Sequence, residues 1–491
     1  MNSKQDAQQY VNYIAEALEI IDAFPSRHNE IYTIKDFNKI FKKTYECLRK
    51  NFSHNSTEFL CFVKGLLDEI KKDSVEYKLI KAVALVLFLD ERISYDEDAE
   101  GCFSLSSLVE YDENKPAILQ EPLNINYKDT KICINPKFEA SLLYELDTSN
   151  DYDRRLFNRD AFWKINGKLN NCSYFRLNEN ISVTNIVVPI SPLEEHLRFA
   201  FSPLIDKADV LITGFRNISR NQTFYKGEYL KKIKYPNMIE QNFRAAWNLA
   251  CENNVNIFFA PEMLCTKNMN ITKEKRNLYL KQMASEQLKI GTVTPCITIL
   301  PSYWHEGSNN CQILYRDGRL LGKQFKKYPC VEEKSNSIEA LKLQKNQEII
   351  VIHIPGFHRI VTMICSDFLT EQEKWLEDYI CKQLQATLIV VPSFSSGEQD
   401  FINSLSILKR YGTSVIWGNC CSAKLVGEKQ IGGCGIVGTD NIQRFKDVCT
   451  CNSICHAEYG CIFIVDVPLK LFKDEPIETI NMKHILHCDK L

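Results

Sequence analysis

The chain has 491 residues, of which 45% are hydrophobic and 25% are charged, as in an ordinary globular protein. The 60 basic and 62 acidic side chains leave a net charge of −2, which excludes a global positive field that would hold nucleic acid or an anionic membrane. The apolar run from Ala82 to Leu89 is far shorter than the roughly 20 residues of a bilayer span, and the polar start of the chain lacks a signal core. We therefore expect a cytoplasmic protein with no membrane partner and no nucleic-acid partner.

Residues 1–110 predict helices. Tyr10, Val11, Ile14, Leu18 and Ile21 recur at helical spacing. Further helices are predicted near 34–50, 57–72 and 76–92. No catalytic motif occurs in this range, and we interpret it as a helical accessory domain. Residues 111–205 are interpreted as an irregular connecting region with short strands, among them 131–134 and 183–190.

Residues 206–475 predict an α/β domain, because short β-branched or aromatic runs alternate with amphipathic helical stretches. Residues 476–491 are left as a C-terminal tail. The predicted strands are 210–212, 255–260, 296–300, 349–354, 360–364, 387–391, 414–417 and 462–465. The predicted helices are 236–252, 371–385 and 400–410.

The first motif with chemical potential is an apolar strand that ends in Pro261 and Glu262. Proline ends strand pairing, so the carboxylate is placed at the edge of the sheet, where a general base is well positioned. The second motif is a hairpin around Asp317-Gly318, whose second strand leads into a run of lysines. An ammonium held near an acyl group can stabilise an oxyanion.

The third motif is the apolar strand that runs into Cys365 before a predicted helix. A cysteine at the start of a helix is expected to have a lowered pKa, which favours the nucleophilic thiolate. Taken singly, each motif also fits a surface glutamate, a solvated lysine or one of the structural thiols among the 20 cysteines.

The order of the three motifs resembles the carbon–nitrogen hydrolase (nitrilase) superfamily, which uses a Glu-Lys-Cys triad. The resemblance implies Glu262 as general base, Lys326 as oxyanion-binding lysine and Cys365 as nucleophile, with Lys327 as the alternative lysine if the register slips. It also implies an α-β-β-α sandwich, preceded here by the mainly helical N-terminal domain.

Further segments agree with the resemblance: 388–393, 415–419 and 432–437. Supporting roles fall to residues beside these motifs and the triad. The candidates are Glu332 and Glu333 for placing the lysine, Ser366 and Asp367 beside the nucleophile, and Ser393 and Asn419 at strand ends. The run before 414 departs from the superfamily pattern, which puts the pocket shape and subunit contacts in doubt.

The resemblance predicts hydrolysis of a non-peptide C–N bond, in an amide in preference to a nitrile, through a cysteine thioester. It implies no metal, no organic cofactor and a homo-oligomer. If an amine resolves the thioester, the reaction is acyl transfer.

Two alternatives remain. One is a regulated nitrilase-like module of a bacterial defence or signalling system, in which the helical region senses a partner and assembly gates the site. The other is an inactive scaffold. The cluster Cys449, Cys451, Cys455, His456 and Cys461 could offer soft metal ligands, but it lacks the paired spacing of strong zinc sites, and reduced structural thiols are preferred.

Overall fold

The chain divides into two compact units, Met1–Glu179 with Lys382–Gln385, and Asn180–Cys381 with Ala386–Leu491. The computed structural model describes residues 4–23, 37–52, 56–94, 102–104, 116–119, 123–127, 130–136, 172–177, 181–190, 196–205, 215–217, 236–271, 278–289, 291–332, 337–342, 347–354, 358–369, 374–395, 399–411, 413–420, 435–438, 442–450, 460–468 and 481–486.

Four helices build the core of the first unit: α1 (Lys4–Asp22), α2 (Phe37–Asn51), α3 (Ser56–Lys72) and α4 (Val75–Glu91). Helix α4 is apolar over most of its surface and packs against the other three. Leu85 and Phe88 of α4 are completely buried, and the Tyr10 hydroxyl donates a 2.8 Å hydrogen bond to the backbone oxygen of Leu89. The four helices lie where their apolar spacing predicts them.

Short strands follow the helices in the first unit: β1 (Ile93–Ser94), β2 (Phe103–Ser104), β3 (Ala117–Leu119), β4 (Leu123–Tyr127), β5 (Thr130–Pro136) and β6 (Cys172–Leu177). Strands β4, β5 and β6 form an antiparallel sheet in that order. The strand predicted at 131–134 is the centre of β5.

The second unit is mixed α/β. Its strands are β7 (Ile181–Val187), β8 (His196–Phe201), β9 (Phe215–Asn217), β10 (Ile257–Phe259), β11 (Ile297–Ile299), β12 (Tyr303–His305), β13 (Ser308–Tyr315), β14 (Leu320–Phe325), β15 (Val331–Glu332), β16 (Ser337–Glu339), β17 (Gln347–Ile354), β18 (His358–Thr362), β19 (Leu388–Ser393), β20 (Ser414–Asn419), β21 (Gly435–Gly438), β22 (Gln443–Arg444), β23 (Cys461–Pro468) and β24 (Asn481–Leu486). Its helices are α5 (Pro236–Glu252), α6 (Leu278–Lys289), a 3₁₀ helix (Cys365–Phe368), a π-helix (Lys374–Gln383), α7 (Gln399–Tyr411) and α8 (Phe445–Val448).

These strands form two large sheets and a small one. The first large sheet has the order β12-β13-β11-β10-β8-β23-β24, with β14 also paired to β13. The second contains β22-β21-β20-β19-β18-β17-β7 in that order, and the small sheet is β15-β16-β9. Strands β8, β10 and β11 are parallel, as are β18, β19 and β20. Their carboxyl ends therefore meet at one edge of each sheet, where α/β folds place their sites.

The two large sheets contact each other through one face each. A Cβ atom added to Gly418 of β20 would lie 2.4 Å from ring carbons of Phe201 in β8 and 2.7 Å from the ring of Phe259 in β10. Successive residues of a strand point to opposite faces. Accordingly, Phe258 contacts the ring of Phe243 in α5, and Trp417 stacks on Phe401 of α7. Each sheet therefore has a helix on the face that the other sheet leaves uncovered.

Most predicted elements of the second unit are present, with three differences. Strand β18 ends at Thr362, so two residues separate it from Cys365, and the helix predicted at 371–385 is the π-helix. Strands β7 and β8 come from the range interpreted as a connecting region, and the domain limits given above stay predictions. The strand predicted at 210–212 lies outside the described residues. Among the described helices, none combines the length and apolar character needed to cross a membrane.

Candidate active site

Three elements place the predicted triad residues at one point. Glu262 lies three residues after β10, and Lys326 directly follows β14, both in the first large sheet. Cys365 begins the 3₁₀ helix that follows β18 of the second large sheet. The Nζ atom of Lys326 lies 2.6 Å from Oε1 of Glu262, and the Cys365 thiol lies within hydrogen-bonding reach of Glu262. The fold therefore brings Glu262, Lys326 and Cys365 together.

A second glutamate binds the same lysine. Nζ of Lys326 also donates to Oε2 of Glu339 at 2.5 Å, and the side chains of Lys326 and Glu339 have no solvent exposure. The backbone N–H of Cys330 donates to the same Oε2 at 3.1 Å. Glu339 was not among the residues predicted from the sequence. The only local signal is a carboxylate directly after Ile338, at the end of the short strand β16.

Lys326 is held in its ammonium form. Burial acts to lower the pKa of Lys326, but the charges of Glu262 and Glu339 outweigh it, and its pKa lies well above the usual value. Burial raises the pKa of Glu339, and the Lys326 charge opposes that effect. A buried charge is tolerated only when it is paired and hydrogen-bonded, and each member of this cluster is.

Cys365 is buried, with 2% of its surface exposed, and has a φ of 49°. This left-handed conformation is uncommon for a residue with a side chain, and such residues concentrate at functional sites. Burial raises the pKa of the Cys365 thiol well above its usual value; Glu262 adds to the increase, and Lys326 opposes it. The sequence-based expectation of a lowered pKa is therefore wrong for this structure, because desolvation of the thiol outweighs the effect of a four-residue 3₁₀ helix.

Asn309 of β13 lies between the two glutamates. Its Nδ2 atom lies 2.9 Å from Oε1 of Glu262 and 2.8 Å from Oε1 of Glu339. The backbone N–H of Phe394, just after β19, donates to Oε2 of Glu262 at 3.2 Å. Sequence reasoning missed both contacts. Asparagine is uncommon inside strands, so the pair Asn309-Asn310 near the start of β13 was an available signal.

Ser366 and Asp367 join the turn that begins at Cys365 to the turn that follows Lys326. The Asp367 carboxylate accepts hydrogen bonds from the backbone N–H groups of Lys327, at 3.0 Å, and Tyr328, at 2.7 Å. The Ser366 hydroxyl donates to the backbone oxygen of Tyr328 at 2.7 Å. Burial raises the pKa of Asp367 to about 7, although Lys326 and the two N–H donors lower it.

Lys327, the alternative lysine, points elsewhere. Its ammonium lies 3.2 Å from the centre of the Trp375 ring, a cation–π contact. Burial lowers the pKa of Lys327 to about 8, against the opposing charge of Asp367. The structure therefore places Lys326, and not Lys327, against the glutamates.

The other residues predicted to support the site, Asn419, Ser393, Glu332 and Glu333, lie outside the Glu262–Lys326–Glu339 cluster or outside the described residues. The Asn419 side chain binds the backbone N–H and C=O of Ser395, at 3.0 and 2.7 Å, and so fixes the loop after β19. The Ser393 hydroxyl is buried and has no hydrogen-bond partner among the described residues. The backbone of Glu332 forms part of β15, while its side chain and the whole of Glu333 lie outside the described part of the chain.

A cleft beside the site has a volume of about 520 Å³, open solvent included. Its lining includes Lys326, Lys327, Thr362, Asp367 and Trp375. Cys365 and Glu262 are not among its lining residues, so we do not place the reacting bond in this cleft.

The cysteine cluster is described only in part. Cys449 and Cys461 are described, whereas Cys451, Cys455 and His456 lie outside the described residues. Over the described ranges, no group of three His, Cys, Asp or Glu side chains has an arrangement that would hold a metal ion.

The solved structures to which this chain is similar include amidases. An amidase from Nesterenkonia sp. is 13% identical, covers 58% of this chain and 95% of its own, and has a TM-score of 0.36. A mutant of the Nesterenkonia AN1 amidase, described as belonging to the nitrilase superfamily, is 14% identical over 50% of this chain and 85% of its own, with a TM-score of 0.33.

Another mutant of that amidase carries the acetamide moiety of fluoroacetamide on its active-site cysteine. It is 13% identical over 58% of this chain and 96% of its own, with a TM-score of 0.35. No family model matches the chain, and no curated protein matches it significantly. TM-scores of this size do not establish a shared fold, and a fold alone does not imply a function.

Proposed function

We propose that the protein hydrolyses non-peptide C–N bonds through a cysteine thioester, with Glu262, Lys326 and Cys365 as the catalytic triad. The observation that supports this proposal most is the contact of one buried carboxylate, Glu262, with both the buried thiol and the buried ammonium. A nucleophile, a general base and an oxyanion donor at one point are the parts that acyl transfer requires.

The protonation of the cluster fits a general-base mechanism. Two carboxylates and one ammonium leave the cluster with a net charge of −1, so a thiolate in the resting site would add a second uncompensated charge. The raised pKa of Cys365 agrees with this count. The thiol therefore stays protonated until its Sγ atom attacks the acyl carbon, when its proton passes to Glu262.

Lys326 has a donor available for the reaction. An ammonium has three N–H groups, and Glu262 and Glu339 accept two of them. The third is directed to the oxyanion that forms when Cys365 attacks, together with a backbone N–H near Ser366. Because the lysine is already held by two carboxylates, it needs no reorganisation as the negative charge develops.

The tetrahedral intermediate collapses when the C–N bond breaks and the leaving nitrogen takes the proton from Glu262. Water then loses a proton to Glu262 and attacks the thioester, which releases the acid and restores the thiol. An amine in place of water would give acyl transfer. We place an amide ahead of a nitrile as substrate because amidases dominate the superfamily that the sequence resembles.

The contacts between the two large sheets, with α5 and α7 on their outer faces, support an α-β-β-α sandwich. We include a homo-oligomer in the proposal on the basis of the sequence resemblance. Residues 1–110 are proposed as a helical domain, supported by the common core of α1 to α4.

The proposal is tested by the alkylation rate of each cysteine with iodoacetamide, followed by mass spectrometry between pH 5 and 9. We expect Cys365 to react at least about 10-fold faster than the buried thiols Cys251 and Cys265, because Glu262 lies within hydrogen-bonding reach of Cys365 and can take its proton. Glu262→Gln should remove most of this difference. Glu286→Gln, at an exposed glutamate of α6, is the matched control and should leave it unchanged.

Ammonia release from a panel of small amides then tests turnover, with Cys365→Ala as the inactive reference. A Cys365 that reacts no faster than Cys251 and Cys265, or a Glu262→Gln variant that alkylates like the wild type, would contradict the triad.

A further inference from the structure

Asn309 occupies a special place in the charged cluster. It is 99% buried, and each carboxylate receives one hydrogen bond from its amide, at 2.9 Å for Glu262 and 2.8 Å for Glu339. Its backbone oxygen accepts a 2.8 Å hydrogen bond from the backbone N–H of Lys326. One asparagine therefore contacts all three charged residues of the cluster.

The four side chains form a closed ring of hydrogen bonds. Lys326 donates to Oε1 of Glu262 and Oε2 of Glu339, and Asn309 donates to Oε1 of each. Two carboxylates that share one ammonium repel each other, and in a buried site this repulsion is poorly screened. A neutral amide with two N–H donors holds both without changing the net charge.

The ring also fixes the orientation of Glu262. Oε1 of Glu262 is occupied by Lys326 and Asn309, which leaves Oε2, held by the Phe394 N–H, as the oxygen that faces other groups. Rotation of the carboxylate would break both bonds at Oε1. The oxygen that takes the proton is therefore set in part by Asn309, which does not itself touch the reacting bond.

We propose that Asn309 is a positioning residue of the active site: it holds Glu262 and Glu339 at Lys326 and directs Oε2 of Glu262 to the proton of Cys365. This inference rests on the proposed function. It adds a role to a side chain that contributes nothing to the bond-making steps themselves.

The test compares Asn309→Ala and Asn309→Asp with Asn310→Ala. Asn309→Asp keeps the shape of the side chain, replaces the N–H donors with acceptors and adds a carboxylate, so it removes the hydrogen bonds without opening a cavity. Asn310 is the next residue of β13, is also buried, and its amide lies 3.5 Å from the backbone oxygen of Tyr303. Near-UV circular dichroism reports the folded fraction, and iodoacetamide measures the Cys365 alkylation rate against pH.

We expect both Asn309 variants to alkylate about 10-fold more slowly or worse, since a hydrogen bond to a charged group contributes this much. The Asn309 hydrogen bond lowers the pKa of Glu339. Without it Glu339 keeps its proton to higher pH, so the acid limb of the rate profile should move upward by about half a pH unit or more. Asn310→Ala should stay within about twofold of the wild type, with its acid limb unmoved.

Other outcomes overturn the inference in distinguishable ways. If the Asn309 variants alkylate like Asn310→Ala, Asn309 has no positioning role. If their alkylation rate falls only in proportion to the folded fraction and the acid limb stays in place, Asn309 is a structural residue. In both cases the proposed function stands. A wild-type Cys365 that reacts like Cys251 and Cys265 overturns the proposed function, and the role of Asn309 falls with it.

Discussion

At the scale of single residues, the site depends on how burial and pairing divide the charges. The pKa of Lys326 is raised because Glu262 and Glu339 flank its ammonium. The pKa of the Cys365 thiol is raised by burial first and by the charge of Glu262 second. The two residues therefore have raised pKa values for opposite reasons, one through favourable pairing and one through desolvation. Such perturbed groups in direct contact are typical of catalytic sites.

The raised pKa of Asp367 predicts that the stability of the protein depends on pH. Its pKa in the folded protein is raised by burial to about 7, from an ordinary value of 3.8. The folded state thus holds this proton more tightly than the unfolded chain. The resulting stabilisation is complete below pH 3.8 and is lost as the pH rises to 7. Between pH 5 and pH 7 the loss is about 2 kcal/mol.

In Asp367→Asn this contribution disappears, while Oδ1 still accepts the two backbone N–H groups. Urea unfolding at pH 5 and pH 7 should therefore show the variant gaining about 2 kcal/mol on the wild type over this range. Asp317→Asn, at an exposed turn where the carboxylate also accepts a backbone N–H, should not reproduce that gain. A difference between variant and wild type that is the same at both pH values would contradict the assignment.

At the scale of elements, the site depends on strands of the two large sheets whose ends lie close together. The hairpin of β13 and β14 delivers Lys326, and β18 with its 3₁₀ helix delivers Cys365. The apolar periodicity predicted these strands, but not that the helix after Cys365 would be a four-residue 3₁₀ turn followed by a π-helix. Apolar spacing reports which face is buried, and over ten residues it does not separate α from π hydrogen bonding.

The close contact of the sheets gives a prediction at this scale. Gly418→Ala places a methyl group 2.4 Å from the Phe201 ring, which is packed between Phe259 and Phe445 and has no room to move. We expect a loss of about 1–3 kcal/mol in the free energy of unfolding.

Gly322→Ala in β14 is the matched control. There the nearest atom, at 2.6 Å, is the terminal methyl of Ile350, a flexible group that can rotate away. Both variants exchange a strand glycine for alanine, so the change in strand propensity is shared. Urea midpoints should show the larger loss for Gly418→Ala, and equal or reversed losses would contradict the packing described here.

At the scale of the whole molecule, the chain has two compact units, each with its own apolar core. The four-helix core belongs to the first, and the candidate active site lies within the second. The regulated-module alternative requires the first unit to influence the second, whereas a constitutive hydrolase does not. Measuring the unfolding of each unit together with the alkylation rate of Cys365 distinguishes the regulated module from the constitutive hydrolase.

Leu85→Ala tests the independence of the units. Leu85 is fully buried in α4, so its truncation should cost about 2–5 kcal/mol in the first unit. Scanning calorimetry should show two transitions, of which one moves to lower temperature, with the Cys365 alkylation rate at 25 °C unchanged. Val75→Ala, at an exposed position of the same helix, is the control and should move neither transition. A changed alkylation rate in Leu85→Ala would favour the regulated module.

Local sequence patterns were enough to predict the helices α1 to α4, most strands of the second unit, and the positions of Glu262, Lys326 and Cys365 close to strand ends. These depend on periodicity and turn chemistry, which act over a few neighbouring residues. Only the tertiary structure showed that Asn309 and Glu339 complete the cluster around Lys326, because residues far apart in sequence meet through sheet pairing. It also decided the direction of the Cys365 pKa, since desolvation depends on everything packed around the thiol and not on the motif that contains it.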